Sequence, residues 1–204
     1  MTSFSTEPMI LASGSPRRRQ LLREAGYSCE VFAPTLAEPE TRPGRMPPEQ
    51  QALALAYFKA RCVADAHPGR HVLGADTVVA LDEDILGKPA DGSEARRMLE
   101  SISGTRHSVI TGVAWLAPTR RMLSAAATQV RMRKMTPDEI DGYVESGEWI
   151  GKAGGYAIQE TADRFVEEVC GSFTNIVGLP MELVGRMADA LRKDEQTGVV
   201  VEQR

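Results

Sequence analysis

Residues 9–26 read MILASGSPRRRQLLREAG: an apolar run, a break of serine, glycine, serine and proline, then helix-forming residues. Met9 to Ala12 has the length and composition of a short strand. Ser15 carries the side chain of a helix N-cap, and Pro16 suits the first helical position, where its missing N–H is one of the unpaired donors anyway. Leu21, Leu22 and Ala25 share one helical face, and Gly26 is placed to end the helix. The stretch predicts strand, tight turn and helix, the opening unit of an α/β fold.

Its charge is out of place for a helix start. Unpaired amides and the positive dipole end favour acids there, yet Arg17, Arg18 and Arg19 stand in consecutive positions. Local rules are most often broken at functional sites. An anion seated on the helix end would satisfy amides and guanidinium forks together, and phosphate is the leading candidate. A solvated basic face paired with Glu24 explains an arginine run alone equally well. Gly14 and the serines at 13 and 15 tip the reading towards the anion.

Working outward, Ser28 to Ala33 predicts a second strand, and Pro34 to Pro48, with five prolines, predicts a loop or lid. Pro48 to Ala66 has the apolar spacing of a long helix, closed by His67-Pro68-Gly69. HVLGADTVVALD, residues 71–82, predicts a buried strand interrupted by Gly74 and Asp76, and residues 82–84 a turn. A helix over Ser93 to Ser101 and strands over Thr105 to Leu116 and Met122 to Met132 follow. Thr136 to Glu139 is a capping box ahead of a short helix through Val144. Gly151 to Gly155 predicts a glycine-rich loop, Phe165 to Cys170 a strand and Pro180 to Leu191 a final helix. These elements mix without strict βαβα alternation, which predicts an α/β protein with a mixed central sheet.

The 204 residues, 42% hydrophobic and 25% charged, suit one compact unit, taken as residues 1–193 with a polar tail from 194 to 204. A net charge of −4 gives no general attraction to nucleic acid or anionic membrane, so an anion site must be local. Cys29, Cys62 and Cys170 form no C-x-x-C pair, which argues against a disulfide framework or structural zinc. No stretch approaches the roughly 20 apolar residues that cross a bilayer, and a cytoplasmic protein is expected.

Asp76 is the second anomaly, since a carboxylate inside a sheet is costly unless it lies at a strand end beside a cleft. A metal-ligand or general-base role is favoured there over a turn-capping one. Lys59, Lys88 and Lys152 would neutralise a polyphosphate if they converged, but spacing does not separate that from three surface lysines. His67, His71 and His107 lack ligand spacing and read as structural or surface residues. Motifs of zinc proteases, serine hydrolases, P-loop NTPases and dinucleotide binders are absent.

ILASGSPRR (10–18), GADTVV (74–79), LGKP (86–89), SGTRHSVITGVA (103–114), AGGYAIQ (153–159) and GSFTNIVGLPM (171–181) together resemble the Maf family of nucleoside triphosphate pyrophosphatases, from Ile10 to Leu191. The resemblance implies an elongated α/β fold with two lobes around a nucleotide cleft, often as a homodimer. It implies hydrolysis of a nucleoside triphosphate to monophosphate and pyrophosphate with a divalent cation, Mg²⁺ or Mn²⁺, and a part in clearing non-canonical nucleotides. Arg17, Thr77 and Gln159 match the branch that prefers dTTP and UTP. Position by position, it implies Asp76 as catalytic base and metal ligand, Glu38 as second metal ligand, and Ser13, Arg18, Lys59 and Lys88 as triphosphate holders. The chain departs from the family pattern at Ala37, Phe58 and Glu160. Missing acids at the first two keep a nucleotide-sensing regulator, for example of cell division, as the alternative to an enzyme. RNA binding through the arginines conflicts with the net charge and with the lack of a basic aromatic face.

Overall fold

A computed structural model describes residues 7–35 and 46–197. The chain opens as expected, with β1 (Met9–Ala12) turning into α1 (Pro16–Glu24), where the Ser15 side chain accepts from the Arg18 amide as N-cap. Next come β2 (Cys29–Val31), α2 (Pro48–Ala64), β3 (Val72–Leu81), β4 (Asp84–Leu86), α3 (Gly92–Ile102), β5 (Arg106–Leu116) and β6 (Arg121–Met132). Then α4 (Pro137–Ser146), β7 (Val166–Cys170), α5 (Phe173–Val177) and α6 (Met181–Thr197) complete the described chain, with 3₁₀ turns at Ala153–Gly155 and Thr161–Phe165.

The strands form one mixed sheet in the order β2-β1-β3-β5-β6-β7, with β4 also paired to β3. β1 runs parallel to β2 and β3, and the other pairings are antiparallel. Alternation along β1, β3 and β5 sends side chains to two helical layers. Leu11, Leu73, Val113 and Trp115 pack with α1 and α6, while Ile10, Val72, Ala114 and Leu116 pack with α2. A separate apolar cluster joins α3 and α4 to Tyr156, Ile158 and Phe165.

β3 is not interrupted at Gly74 and Asp76; it runs unbroken through both. The glycine serves helix packing instead. A Cβ on Gly74 would lie 2.4 Å from the Ala56 carbonyl oxygen, and one on Gly112, the β5 partner of Asp76, would lie 2.4 Å from the Ala52 backbone. With Ala52, Ala56 and Ala60 fully buried at the contact, α2 rests its backbone almost directly on the sheet. That close seat brings Lys59, on the same helical side, over β3.

Two short elements were not anticipated: β4, which makes a hairpin with β3 across Asp82 at φ +52°, and the five-residue α5. The last helix also runs past its expected end at Leu191, to Thr197, and Arg120 pairs with Asp194 there. Residues 198–204 lie outside the described residues. No described helix is long and apolar enough to cross a membrane.

Because the α2 contact leaves no room for a side chain, Gly112→Ala should destabilise the fold by about 1–3 kcal/mol. Thermal unfolding of the variant should show a melting point roughly 3–10 °C lower; an unchanged melting point would mean that α2 does not sit this close.

Candidate active site

β3 changes neighbours halfway along its outer edge. β1 pairs with it only as far as Gly74, opposite Ala12, and pairing with β4 starts at Val79, opposite Leu86. Between them Ala75 to Val78 have no strand neighbour on that side, and a cleft of roughly 600 Å³ opens there. One wall is the β1–α1 turn and the start of α1, from Ser13 to Arg18; the opposite wall is residues 150–160. Asp76, Thr77, Lys59 and Lys88 line the space between.

Strand alternation separates Asp76 and Thr77. Asp76 faces α2, where its Oδ1 accepts from Lys59 Nζ at 2.5 Å, each residue being 8% exposed. Burying either charge alone would be costly, and pairing offsets that cost. Asp76 Oδ2 makes no hydrogen bond or ion pair with a described residue. Thr77 faces the other layer, its Oγ1 2.9 Å from Thr111 Oγ1 and 3.0 Å from Arg18 Nη2.

The three arginines differ completely. Arg18 turns inward and donates from Nε to the Gly178 carbonyl (2.8 Å), and from Nη1 to Ser13 Oγ (3.1 Å) and to the Ala75 carbonyl (2.7 Å). Its fork thus ties the β1–α1 turn, the unpaired part of β3 and the α5–α6 connection together, bracing the groups on either side of Asp76. Arg17 lines the cleft with no protein hydrogen bond or ion pair among the described residues. Arg19 is exposed and lies outside the cleft lining.

Lys88 is exposed at the cleft and also without a described partner. Lys152 stands on the opposite wall, its Nζ 3.5 Å from Glu160 and 3.3 Å from the Glu148 carbonyl. Gln159 is exposed on that wall and makes no hydrogen bond with a described residue, so its amide is open to a ligand. The structure therefore gathers Ser13, Arg17, Arg18, Lys59, Asp76, Thr77, Lys88 and Gln159 around one cleft. Glu38 and Ala37 lie outside the described residues. Among the described residues no three His, Cys, Asp or Glu side chains come together as a metal cluster.

Several wall residues were not singled out in the sequence. Val79, Val109 and Ile176 give the cleft an apolar patch, and Tyr156 adds an aromatic side chain. Their types are those of ordinary core residues; sheet register brings Val79 and Val109 to the cleft, and α5 and the segment after the Ala153–Gly155 turn bring Ile176 and Tyr156. Behind Tyr156 stands His107, 1% exposed, with its Nε2 2.8 Å from the Tyr156 hydroxyl. Burial holds the imidazole down to about 4 and pushes the Tyr156 phenol up, so both groups are neutral at ordinary pH.

The residues match the Maf-like protein family over positions 8–191. A dTTP/UTP pyrophosphatase of Cereibacter sphaeroides is 47% identical, over 85% of this chain and 89% of that protein. Proteins of the same name from Geobacillus sp. (strain WCH70) and Pelotomaculum thermopropionicum are 45% and 42% identical, over 85% and 91% of this chain and 92% and 95% of theirs. Among solved structures, the Ham1 protein of Staphylococcus aureus overlaps 62% of this chain and 72% of its own at 9% identity and a TM-score of 0.41.

Two outcomes follow from this geometry. Arg18→Ala should strand its buried acceptors and lower the melting temperature by roughly 5–10 °C, whereas Arg17→Ala should shift it by about 1 °C or less. Equal shifts would contradict the division between the two. For His107, the folded pKa lies below the unfolded one, so the unfolded state binds the extra proton as pH falls. Stability should therefore decline between about pH 6.5 and about pH 4, and denaturant titrations of wild type against His107→Phe should show the variant lacking that part of the slope.

Proposed function

The chain belongs to the Maf family, and on that premise we propose that it hydrolyses nucleoside triphosphates, dTTP and UTP foremost, to the nucleoside monophosphate and pyrophosphate. The observation that carries this reading is one cleft lined by several cations, a buried acid and an open side-chain amide. Lys59, Lys88, Arg17 and Ser13 line it together with Asp76, and Gln159 lines it too.

The triphosphate is held by Ser13, Arg18, Lys59 and Lys88, and Arg18 also braces the turn that presents Ser13. Asp76, with Oδ1 held by Lys59, uses Oδ2 to align a water against the α-phosphorus and to take its proton. The new P–O bond forms as the bond from the α-phosphorus to the bridging oxygen of the β-phosphate breaks, and pyrophosphate leaves. Negative charge spreads over the phosphoryl oxygens in that transition state, and fixed cations and helix-end amides oppose it without reorganising. Gln159 offers both a donor and an acceptor to the edge of uracil or thymine, and Thr77 and Arg17 complete the selection.

The donor set fits a divalent cation. One open carboxylate oxygen on Asp76 together with substrate phosphates is what magnesium or manganese takes, and Glu38 is the second acid of the reading. When bound, the ion supplies neutralisation of phosphate charge. The reading treats residues 1–193 as one catalytic unit and the active form as a homodimer, which light scattering would check.

Pyrophosphate release should be measured over all NTPs and dNTPs with Mg²⁺ and Mn²⁺. Asp76→Asn, assayed below its own melting temperature, should lose about 10²–10⁴-fold in kcat. EDTA should abolish turnover and added metal restore it, while Arg17→Ala should reorder the substrates. Tight nucleotide binding with no product from the wild type would replace hydrolysis with sensing.

A further inference from the structure

Resting on that reading of the cleft, we propose that His107 is a positioning residue for nucleobase selection: through the Tyr156 hydroxyl it holds the wall that carries Gln159. His107 sits on β5 within the protein, with its ring edge-on to Tyr156 at 5.4 Å between centroids and an interplanar angle of 83°. Its Nδ1 is buried with no partner, so the contact from Nε2 to Tyr156 is its one hydrogen bond among the described residues. A phenylalanine would fill this space without placing a polar ring in the core. What histidine adds over phenylalanine is the bond to Tyr156.

Tyr156 is 6% exposed, touches the cleft and stands three residues before Gln159. The backbone around it is pinned on both sides. The Gly154 amide donates to the Gly87 carbonyl at 2.9 Å, and the Ala157 amide donates to the Tyr143 hydroxyl at 3.1 Å. Neither contact reaches the Tyr156 side chain, whose ring packs in the α3–α4 cluster and whose hydroxyl is held by His107. Gln159 has no partner among the described residues that aims its amide, so its direction is inherited from this wall. A polar group discriminates between base edges only when it is held in register with them, and slack lets it meet the wrong edge as well as the right one.

The test uses the full chain and steady-state kinetics with dTTP, UTP, CTP, GTP and ATP for wild type, His107→Phe, His107→Gln, Tyr156→Phe and His107→Phe/Tyr156→Phe. Each Phe single variant should raise KM for the preferred pyrimidine about three- to tenfold and narrow its kcat/KM advantage over the poorest nucleotide, with kcat less affected. The double variant should be no worse than either single one, because both remove the same bond. His107→Gln, which can still bond the phenol, should recover part of the selectivity. Should His107→Phe fail to fold, Tyr156→Phe carries the test alone, as it removes one oxygen and keeps the ring. Penalties that add in the double variant, or an unchanged base ratio in a selective enzyme, would overturn the proposal while leaving the catalytic reading intact. A wild type that hydrolyses no nucleotide would overturn both.

Discussion

The gap in pairing along β3 is the constraint on which the site depends. A sheet edge left open inside a protein exposes backbone groups that need partners. Here the open stretch of β3 lies between Gly74, opposite the end of β1, and Val79, opposite the end of β4, and Arg18 supplies one of the missing donors by bonding the Ala75 carbonyl. The same guanidinium reaches Thr77, Ser13 and Gly178, so the segment is braced from the side while the rest of the gap stays open to a ligand. A fully paired sheet would have hidden Asp76, and an unbraced gap would not have held it in place.

Close seating of α2 supplies the other half of the arrangement. Gly74 and Gly112 remove side chains from the two strands beneath the helix, and small residues on α2 complete the contact. The helix axis then lies near enough for Lys59 to reach Asp76. Lys59 and Arg18 approach β3 from opposite layers and act on adjacent residues. This is a direct consequence of the two-residue period of a strand. Fold stability and site geometry rest on the same few contacts.

Much of the fold was legible because it followed local signals. The serine cap and proline of α1, the capping box of α4 and the long β-branched runs of β3 and β5 are written in neighbouring residues. β4 and α5 were not legible: at three and five residues they are too short for a period to register, and each is held by its neighbours. Gly74 and Asp76 read as interruptions of a strand because propensity carries no knowledge of a helix pressed on one face. The last helix continues to Thr197 beyond its last apolar residues, where a polar sequence gave no sign of the Arg120 to Asp194 contact. The cleft residues were found singly by type, but their convergence depends on sheet register, and His107 could not be told from any other core histidine without its partner.

The three arginines of α1 show how periodicity converts one repeated residue into three roles. Successive helical residues point about 100° apart, so a run of identical side chains cannot serve a single ligand. The N-cap at Ser15 fixes the phase of the helix, and that phase sends Arg18 beneath the turn, Arg17 to the cleft and Arg19 to solvent. A one-residue slip of the helix would exchange those destinations. The serine and proline before the run therefore decide where the arginines go: the cap sets which positive charge is tied into the protein, which lines the cleft and which meets solvent.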